Sequence, residues 1–154
     1  MKKLFLVLML LSITVPSWAS SKAIYEQQIK GELASNYDKI SAALEANGFY
    51  VIFEPNVGKN LEGMASDLGK DYNRNQLEGI RSMVFCNARY ANRLSNVDPA
   101  ALALCPLHLT LIQKNGVTTV LFVKPSVVTQ GSPAQPVAQE IETAVIKLIA
   151  TTAK

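Results

Sequence analysis

The sequence is poor in the residue types from which most catalytic and metal centres are built. Its 154 residues include two cysteines, one histidine and one tryptophan. Two cysteines cannot form the disulfide framework of a small scaffold protein, and one histidine cannot supply a multi-histidine metal site. Only 18% of the residues are charged whereas 49% are hydrophobic, which excludes an intrinsically disordered chain. Length and composition together indicate one globular domain.

Nucleotide-binding and hydrolase motifs are also missing. The chain has no Gly-x-Ser-x-Gly elbow, and Gly58, Gly63 and Gly69 are not part of a phosphate-binding loop, because no Gly-Lys-Ser/Thr follows them. The carboxylates are scattered along the sequence instead of paired. We therefore predict no catalytic residues and no cofactor, and the sequence leans against an enzyme without deciding the question.

The first nineteen residues have the layout of a secretory signal peptide. Lys2 and Lys3 form a positively charged start, and residues 4–15 are a nearly continuous apolar run. Small residues at positions 17 and 19 fit signal peptidase, so we expect cleavage near Ala19 and one domain over residues 20–154. The run is short for a permanent membrane span. These features predict a periplasmic or secreted protein that is not held at a membrane after cleavage.

Little positive charge belongs to the domain itself. The formal net charge is +3, and two of the lysines lie in the leader. The remaining Lys and Arg residues form no run that could neutralise several phosphates. Nucleic acid is therefore not an expected partner.

Hydrophobic periodicity and turn residues predict an α+β fold. Two amphipathic segments indicate main helices, and β-branched or aromatic runs indicate about five strands in an antiparallel sheet with the helices on one face. The predicted elements begin with a strand at 24–30, a helix capped by Ser35 and stopped by Asn47-Gly48, a strand at 49–53, and a long connection at 56–80 with room for one short helix. They continue with a strand at 82–86, a helical turn at 89–94, a hairpin at 107–113 and 117–123, and a surface linker at 125–136. The last helix begins near Gln135 and carries the apolar stripe Val137, Ile141, Val145 and Leu148.

The hairpin is the clearest local signal. Asn115-Gly116 suits a two-residue type I′ turn, which would place Lys114 opposite Val117. One face of this hairpin then points to the core, and it carries Leu107, Leu109, Leu111, Val120 and Phe122. The other face is half apolar, and it carries His108, Thr110, Ile112, Thr119, Leu121 and Val123. We expect another element, a ligand or a second copy of the chain to cover this outer face.

The central segment resembles a bacterial family. Phe85-Cys86-Asn87-Ala88 is followed by Ala91, Leu94, Asp98-Pro99 and then Pro106 at the hairpin. This order is similar to the signature of domain-of-unknown-function family 302, which reads Cys-Asn-Pro or Gly-Asn-Pro, a short helix, an Asp-Pro turn and a Leu-Pro entry to the next strand. The resemblance implies a TATA-binding-protein-like fold, a curved antiparallel sheet in the order β-α-β-β-β-β-α, and members often form dimers.

The chain departs from that signature at two places. Ala88 stands where the family has proline, and Leu107 occupies the position often held by the second cysteine, with Cys105 two residues earlier. A role for the family's cysteine pair therefore transfers to Cys86 and less directly to Cys105. The connection at 56–80 is also longer than usual for the family.

Cys86 and Cys105 leave three alternatives open. In an oxidising compartment two cysteines usually pair, and a disulfide here would contribute about 3 kcal/mol on the chain-entropy model. They could instead be two buried free thiols. A redox or metal role is the third alternative, although the absence of Cys-x-x-Cys argues against a thioredoxin-type oxidant.

A metal site would need the only histidine. Cys105 and His108 have Cys-x-x-His spacing, and with Cys86 they could offer two thiolates and one imidazole to copper or zinc. In a strand, however, Cys105 and His108 point to opposite faces, so only a kink at Pro106 would let them converge. We therefore expect no metal unless that kink exists.

These patterns favour a binding module over an enzyme. The predicted ligand contacts are Asn87, His108, Thr110 and Thr119, although Asn87 is also well placed to cap the helix that follows it. The preferred function is an exported, non-enzymatic domain that binds a small molecule or a protein, with a homodimer through the outer sheet face. The alternative is a thiol-redox or copper/zinc protein that uses Cys86, Cys105 and His108.

Overall fold

A five-stranded antiparallel sheet forms the centre of the computed structural model, which describes residues 23–153. The strands are β1 (Ile24–Lys30), β2 (Tyr50–Phe53), β3 (Gly79–Cys86), β4 (Leu107–Lys114) and β5 (Val117–Val123), in the spatial order β1-β5-β4-β3-β2. The helices are α1 (Leu33–Ala46), α2 (Val57–Gly63), α3 (Ala65–Leu68), α4 (Ala88–Val97), α5 (Pro125–Val128) and α6 (Gln135–Thr152), with 3₁₀ segments at Gly69–Asp71 and Pro99–Leu104. The predicted α+β class is confirmed. The predicted signal peptide lies outside the described residues.

The hairpin between β4 and β5 has the predicted register. Lys114 pairs with Val117, and the turn residues Asn115 and Gly116 both have positive φ, 52° and 69°, as a type I′ turn requires. The five predicted core residues share the inner face of the sheet and are buried, namely Leu107, Leu109, Leu111, Val120 and Phe122. The packing prediction for this ribbon is therefore confirmed.

Helices α1 and α6 cover the inner face of the sheet. The α1 residues Tyr37, Ile40 and Leu44 are buried at helical spacing, as predicted. The apolar stripe predicted on α6 is buried at its first three positions, but the fourth buried residue is Ile149 and not the predicted Leu148. A spacing of four is thus kept along the whole helix, and Leu148 packs only partly against the core.

The predicted N-cap of α1 at Ser35 is wrong. The helix begins at Leu33, and the side chain of the N-cap residue Glu32 makes no capping hydrogen bond. The Leu33 N–H instead donates to Oε1 of Gln113, 3.0 Å away, at the end of β4. The buried side chain of Gln113, on a distant strand, thus accepts the hydrogen bond that a local N-cap side chain would otherwise accept.

Two segments outside the main elements contain short helices, which the sequence allowed for the connection at 56–80 but not for the segment after β5. The connection after β2 holds α2, α3 and a 3₁₀ turn, and β3 begins at Gly79 instead of Ser82. The segment after β5 holds α5, and it is pinned to α6 because Ser126 donates its N–H (3.1 Å) and its hydroxyl to the buried carboxylate of Glu142. The prediction of a plain surface linker there is therefore wrong. Within residues 23–153, none of the helices combines the length and apolar character that a bilayer span needs.

Candidate functional site

The outer-face candidates are spread along the sheet. His108 is exposed at the start of β4, opposite Val84. The Thr110 hydroxyl lies 2.7 Å from the Ser82 hydroxyl, so the neighbouring strand satisfies it. Thr119 lies near the hairpin turn, in a depression that Ile112 also lines. The structure places these three of the four predicted ligand contacts on one half-exposed face but does not gather them around one pocket.

Asn87 caps a helix. Its Oδ1 accepts the N–H groups of Arg89 (3.0 Å) and Tyr90 (3.2 Å) at the start of α4. This is the structural role that the sequence offered as the alternative to ligand contact. The side-chain oxygen is therefore already occupied by two backbone donors.

The two cysteines lie together at one end of the sheet. Cys86 ends β3 and Cys105 comes just before β4, and the pairing of Phe85 with Leu107 brings the two ends side by side. Both thiols are free and half-buried. Burial raises the pKa of the Cys105 thiol, and its interaction with Cys86 raises it further. Strand pairing thus places the two cysteines next to each other.

The third member of the predicted metal set is not gathered with the thiols. His108 points to the exposed outer face, whereas Cys105 packs against the hydrophobic core. Within the described range 23–153, no group of three or more His, Cys, Asp and Glu residues is arranged to hold a metal ion. Cys105 lies outside β4, which begins at Leu107, so strand parity does not set the direction of its side chain relative to His108.

A cleft at the opposite end of β3 was not foreseen from the sequence. It has a volume of about 600 Å³, within the range of small-molecule sites. Its walls are the first turn of α1, helix α2 and the segment that leads into β3. We call it the β3 cleft, and its lining includes Leu33, Leu61, Tyr72, Leu77, Ile80 and Arg81.

Gly58 allows one wall of the β3 cleft to form. A Cβ atom at this position would lie 3.0 Å from the Ile80 nitrogen and 3.3 Å from the Ile80 oxygen. Helix α2 can therefore approach the β3 backbone this closely only with glycine at position 58. The long connection after β2 thus forms a wall instead of a solvent-exposed loop.

Arg81 is the central charge of the β3 cleft. Its side chain shares the inner face with Met83 and Phe85, and its guanidinium stacks 3.8 Å above the centre of the Tyr37 ring. Among the described residues, no carboxylate lies within ion-pair distance of Arg81. The half-buried guanidinium therefore has no direct ion pair among these residues, although the Glu54 carboxylate accepts from the hydroxyl of the same tyrosine.

Tyr37 fixes the position of the arginine. Its hydroxyl lies 2.8 Å from Glu54 Oε1 and 3.1 Å from the Ser82 carbonyl oxygen. Burial raises the pKa of Tyr37, and the Glu54 carboxylate raises it further, so the phenol stays protonated. The neutral ring gives Arg81 a rigid surface on which to stack.

Several acidic groups at the edge of the β3 cleft already have hydrogen-bond donors. Glu32 Oε2 accepts from Gln113 Nε2 at 3.2 Å. The Glu78 carboxylate accepts the N–H groups of Asn115 (2.8 Å) and Gly116 (3.4 Å) in the hairpin turn. Lys59 adds a second, exposed positive charge to the lining. The arrangement can accept an anionic group at Arg81 beside apolar surface.

The sequence held one signal for this site. Arg81 has the same parity as the buried residues Met83 and Phe85, and an arginine at a core-facing position needs a partner or a function. The predicted strand began at Ser82, three residues after the start of β3, so Arg81 fell between the predicted connection and the predicted strand. The position of the cleft could not be derived, because α1 and α2 approach each other only in the folded chain.

Comparison with known proteins identifies the family. No curated protein sequence matches the chain. The fold is similar to the crystal structure of an uncharacterized conserved DUF302 protein from Bacillus stearothermophilus, with a TM-score of 0.75 and 19% sequence identity over 87% of this chain and 100% of that chain. The model of the family described as "Domain of unknown function DUF302" matches residues 25–152. The chain therefore belongs to the DUF302 family, as the resemblance around Cys86 predicted.

Proposed function

We propose that this domain is a binding module whose β3 cleft holds a small organic anion with an apolar part. The observation that carries the proposal is Arg81, a half-buried guanidinium with no carboxylate at ion-pair distance among the described residues. Guanidinium groups form charge-assisted, often bidentate hydrogen bonds with carboxylates and phosphates. An anionic ligand would give Arg81 the direct ion pair that no carboxylate among the described residues makes, although Glu32, Glu62 and Glu78 also line the cleft.

The rest of the lining supports a ligand that is also apolar. Leu33, Leu77 and Ile80 line the same cleft as Arg81, and Tyr72 adds an aromatic ring. Buried apolar contact supplies binding energy, whereas a few fixed polar groups set the orientation of the ligand. The volume of about 600 Å³ suits a molecule of metabolite size.

Binding of the anionic, apolar dye anilinonaphthalene sulfonate tests the proposal. We expect saturable binding to the folded protein, because the dye combines a sulfonate with aromatic rings. Arg81→Gln should weaken this binding by about ten-fold or more, since it removes a charge-assisted contact. Fluorescence titration measures the affinity, and small aromatic carboxylates should compete with the dye.

Arg89→Gln is the matched control, because Arg89 is exposed on α4 and is not part of the cleft lining. It removes the same charge and should leave dye affinity unchanged. Circular dichroism establishes that both variants are folded. Equal dye affinity of the wild-type protein and a folded Arg81→Gln variant would refute the proposal, as would the absence of saturable binding.

A further inference from the structure

We infer that Cys86 and Cys105 form a reversible dithiol–disulfide pair that exchanges with disulfide-containing molecules. The proposal does not depend on the β3 cleft, because the pair occupies the other end of β3. It rests on two free, half-buried thiols that the pairing of β3 with β4 holds next to each other.

The neighbourhood of the thiols is open enough for a reaction partner. Cys86 pairs with Tyr50 of β2, an edge strand of the sheet. Three side chains of this short strand are well exposed, Tyr50 at 63%, Ile52 at 60% and Phe53 at 63%. The half-buried Cys86 therefore lies beside an exposed edge strand and not in the middle of the sheet.

The two thiols are not equivalent. Cys105 packs against the hydrophobic core, and both burial and Cys86 raise its pKa. A thiol that is less ionised attacks more slowly, because the thiolate is the nucleophile. Because Cys105 packs against the core whereas Cys86 borders the exposed edge strand β2, the structure assigns the first attack to Cys86 and the second, intramolecular step to Cys105.

The reaction balances with a disulfide, RSSR, as the oxidant. The Cys86 thiolate attacks one sulfur of RSSR, the S–S bond breaks, and the departing thiolate takes up a proton to become RSH. Cys105 then loses its proton and attacks the Cys86 sulfur of the mixed disulfide, which releases the second RSH. Two protein thiols are oxidised to one disulfide, and two electrons reduce RSSR to two thiols.

Glutathione disulfide is the probe for this exchange. The reduced full-length protein should lose two hydrogens by intact mass, without a lasting adduct, and excess reduced glutathione should reverse the change. A bond that forms and then resists reduced glutathione would overturn the proposal in favour of an inert structural disulfide. Thiols that do not oxidise at all would overturn it in favour of two isolated buried cysteines.

Single-cysteine variants test the order of attack. Cys105→Ser should accumulate one glutathione adduct on Cys86, because the resolving thiol is gone. Cys86→Ser should acquire an adduct on Cys105 several-fold more slowly. Equal rates would overturn the assignment. If a variant fails to fold, brief alkylation of the reduced wild-type protein followed by peptide mapping gives the same comparison, with faster labelling expected at Cys86.

Discussion

Replacing one leucine on each face of the hairpin tests the packing on which the fold depends. Leu109 is fully buried between its strand partners Met83 and Phe122, which are themselves buried. Leu121 is half-buried on the outer face, opposite Thr110. The two changes to alanine remove the same atoms, so a difference in stability reports the difference in surroundings.

The expected costs follow from burial. Leu109→Ala removes three carbons, and at about 0.8 kcal/mol for each buried methylene the transfer part is roughly 2.5 kcal/mol. A cavity among Met83 and Phe122 adds to this loss, so the free energy of unfolding should fall by about 3 to 4 kcal/mol. Leu121→Ala should cost about 1 kcal/mol, because its side chain is already partly in water.

Urea denaturation followed by circular dichroism measures both costs. With a typical m-value of about 2 kcal/mol/M, the midpoint should fall by roughly 1.5–2 M for Leu109→Ala and by roughly 0.5 M for Leu121→Ala. A cost for Leu121→Ala equal to or above that for Leu109→Ala would refute the assignment of faces. Repetition at two protein concentrations adds a check on the predicted homodimer, since burial of Leu121 by a second copy would make its cost depend on concentration.

Three further changes have defined outcomes. Asn87→Ala should lower the free energy of unfolding by about 1 kcal/mol, because two N–H groups of α4 lose their cap, and chemical denaturation measures this loss. Glu142→Leu should cost roughly 1–3 kcal/mol in thermal or urea melts, because the Ser126 N–H loses its acceptor, whereas Glu142→Gln should cost less. In the folded Cys86→Ser variant, iodoacetamide should label Cys105 more slowly at neutral pH than it labels Cys105 in the urea-unfolded variant, because burial raises the pKa of Cys105. The two labelling rates should converge in alkali. Equal rates at neutral pH would contradict this prediction.

Local chemistry made the hairpin predictable. Asn115 and Gly116 select a turn type, that turn sets which residues are opposite each other, and alternation then decides which side chains are buried. No information from distant parts of the chain is needed for these steps. The helical stripes of α1 and α6 were predictable for the same reason, apart from the choice between Leu148 and Ile149.

The errors occur where distant residues replace a local signal. Ser35 looks like an N-cap, but Gln113 accepts from the Leu33 N–H and the N-cap lies three residues earlier, at Glu32. Ser126 was placed in a surface linker because prolines surround it, yet Glu142 holds it in the interior. Export to the periplasm and a dimer through the outer face depend on residues or partners beyond this fold, and they stay predictions.

The candidate sites were predictable to different degrees. The sequence named both cysteines but left their relation open, because the register of β3 on β4 is not fixed by the long segment between them. The β3 cleft depends on three elements that meet only in the folded chain, and only the parity of Arg81 pointed toward it. Asn87 was the easiest case, since an Asn before a helix has a frequent structural role.

The two proposed sites can be tested independently because they lie at opposite ends of β3. Arg81 and Cys86 are five residues apart on β3, or roughly 17 Å at the usual rise of a strand. Between them lie Met83 and Phe85, fully buried residues that cannot shift without loss of stability. Loss of dye binding in Arg81→Gln with intact glutathione exchange would therefore assign dye binding to the cleft alone. Loss of glutathione exchange in the cysteine variants with intact dye binding would assign the exchange to the thiol pair alone. Only a change that disturbs β3 itself should affect both.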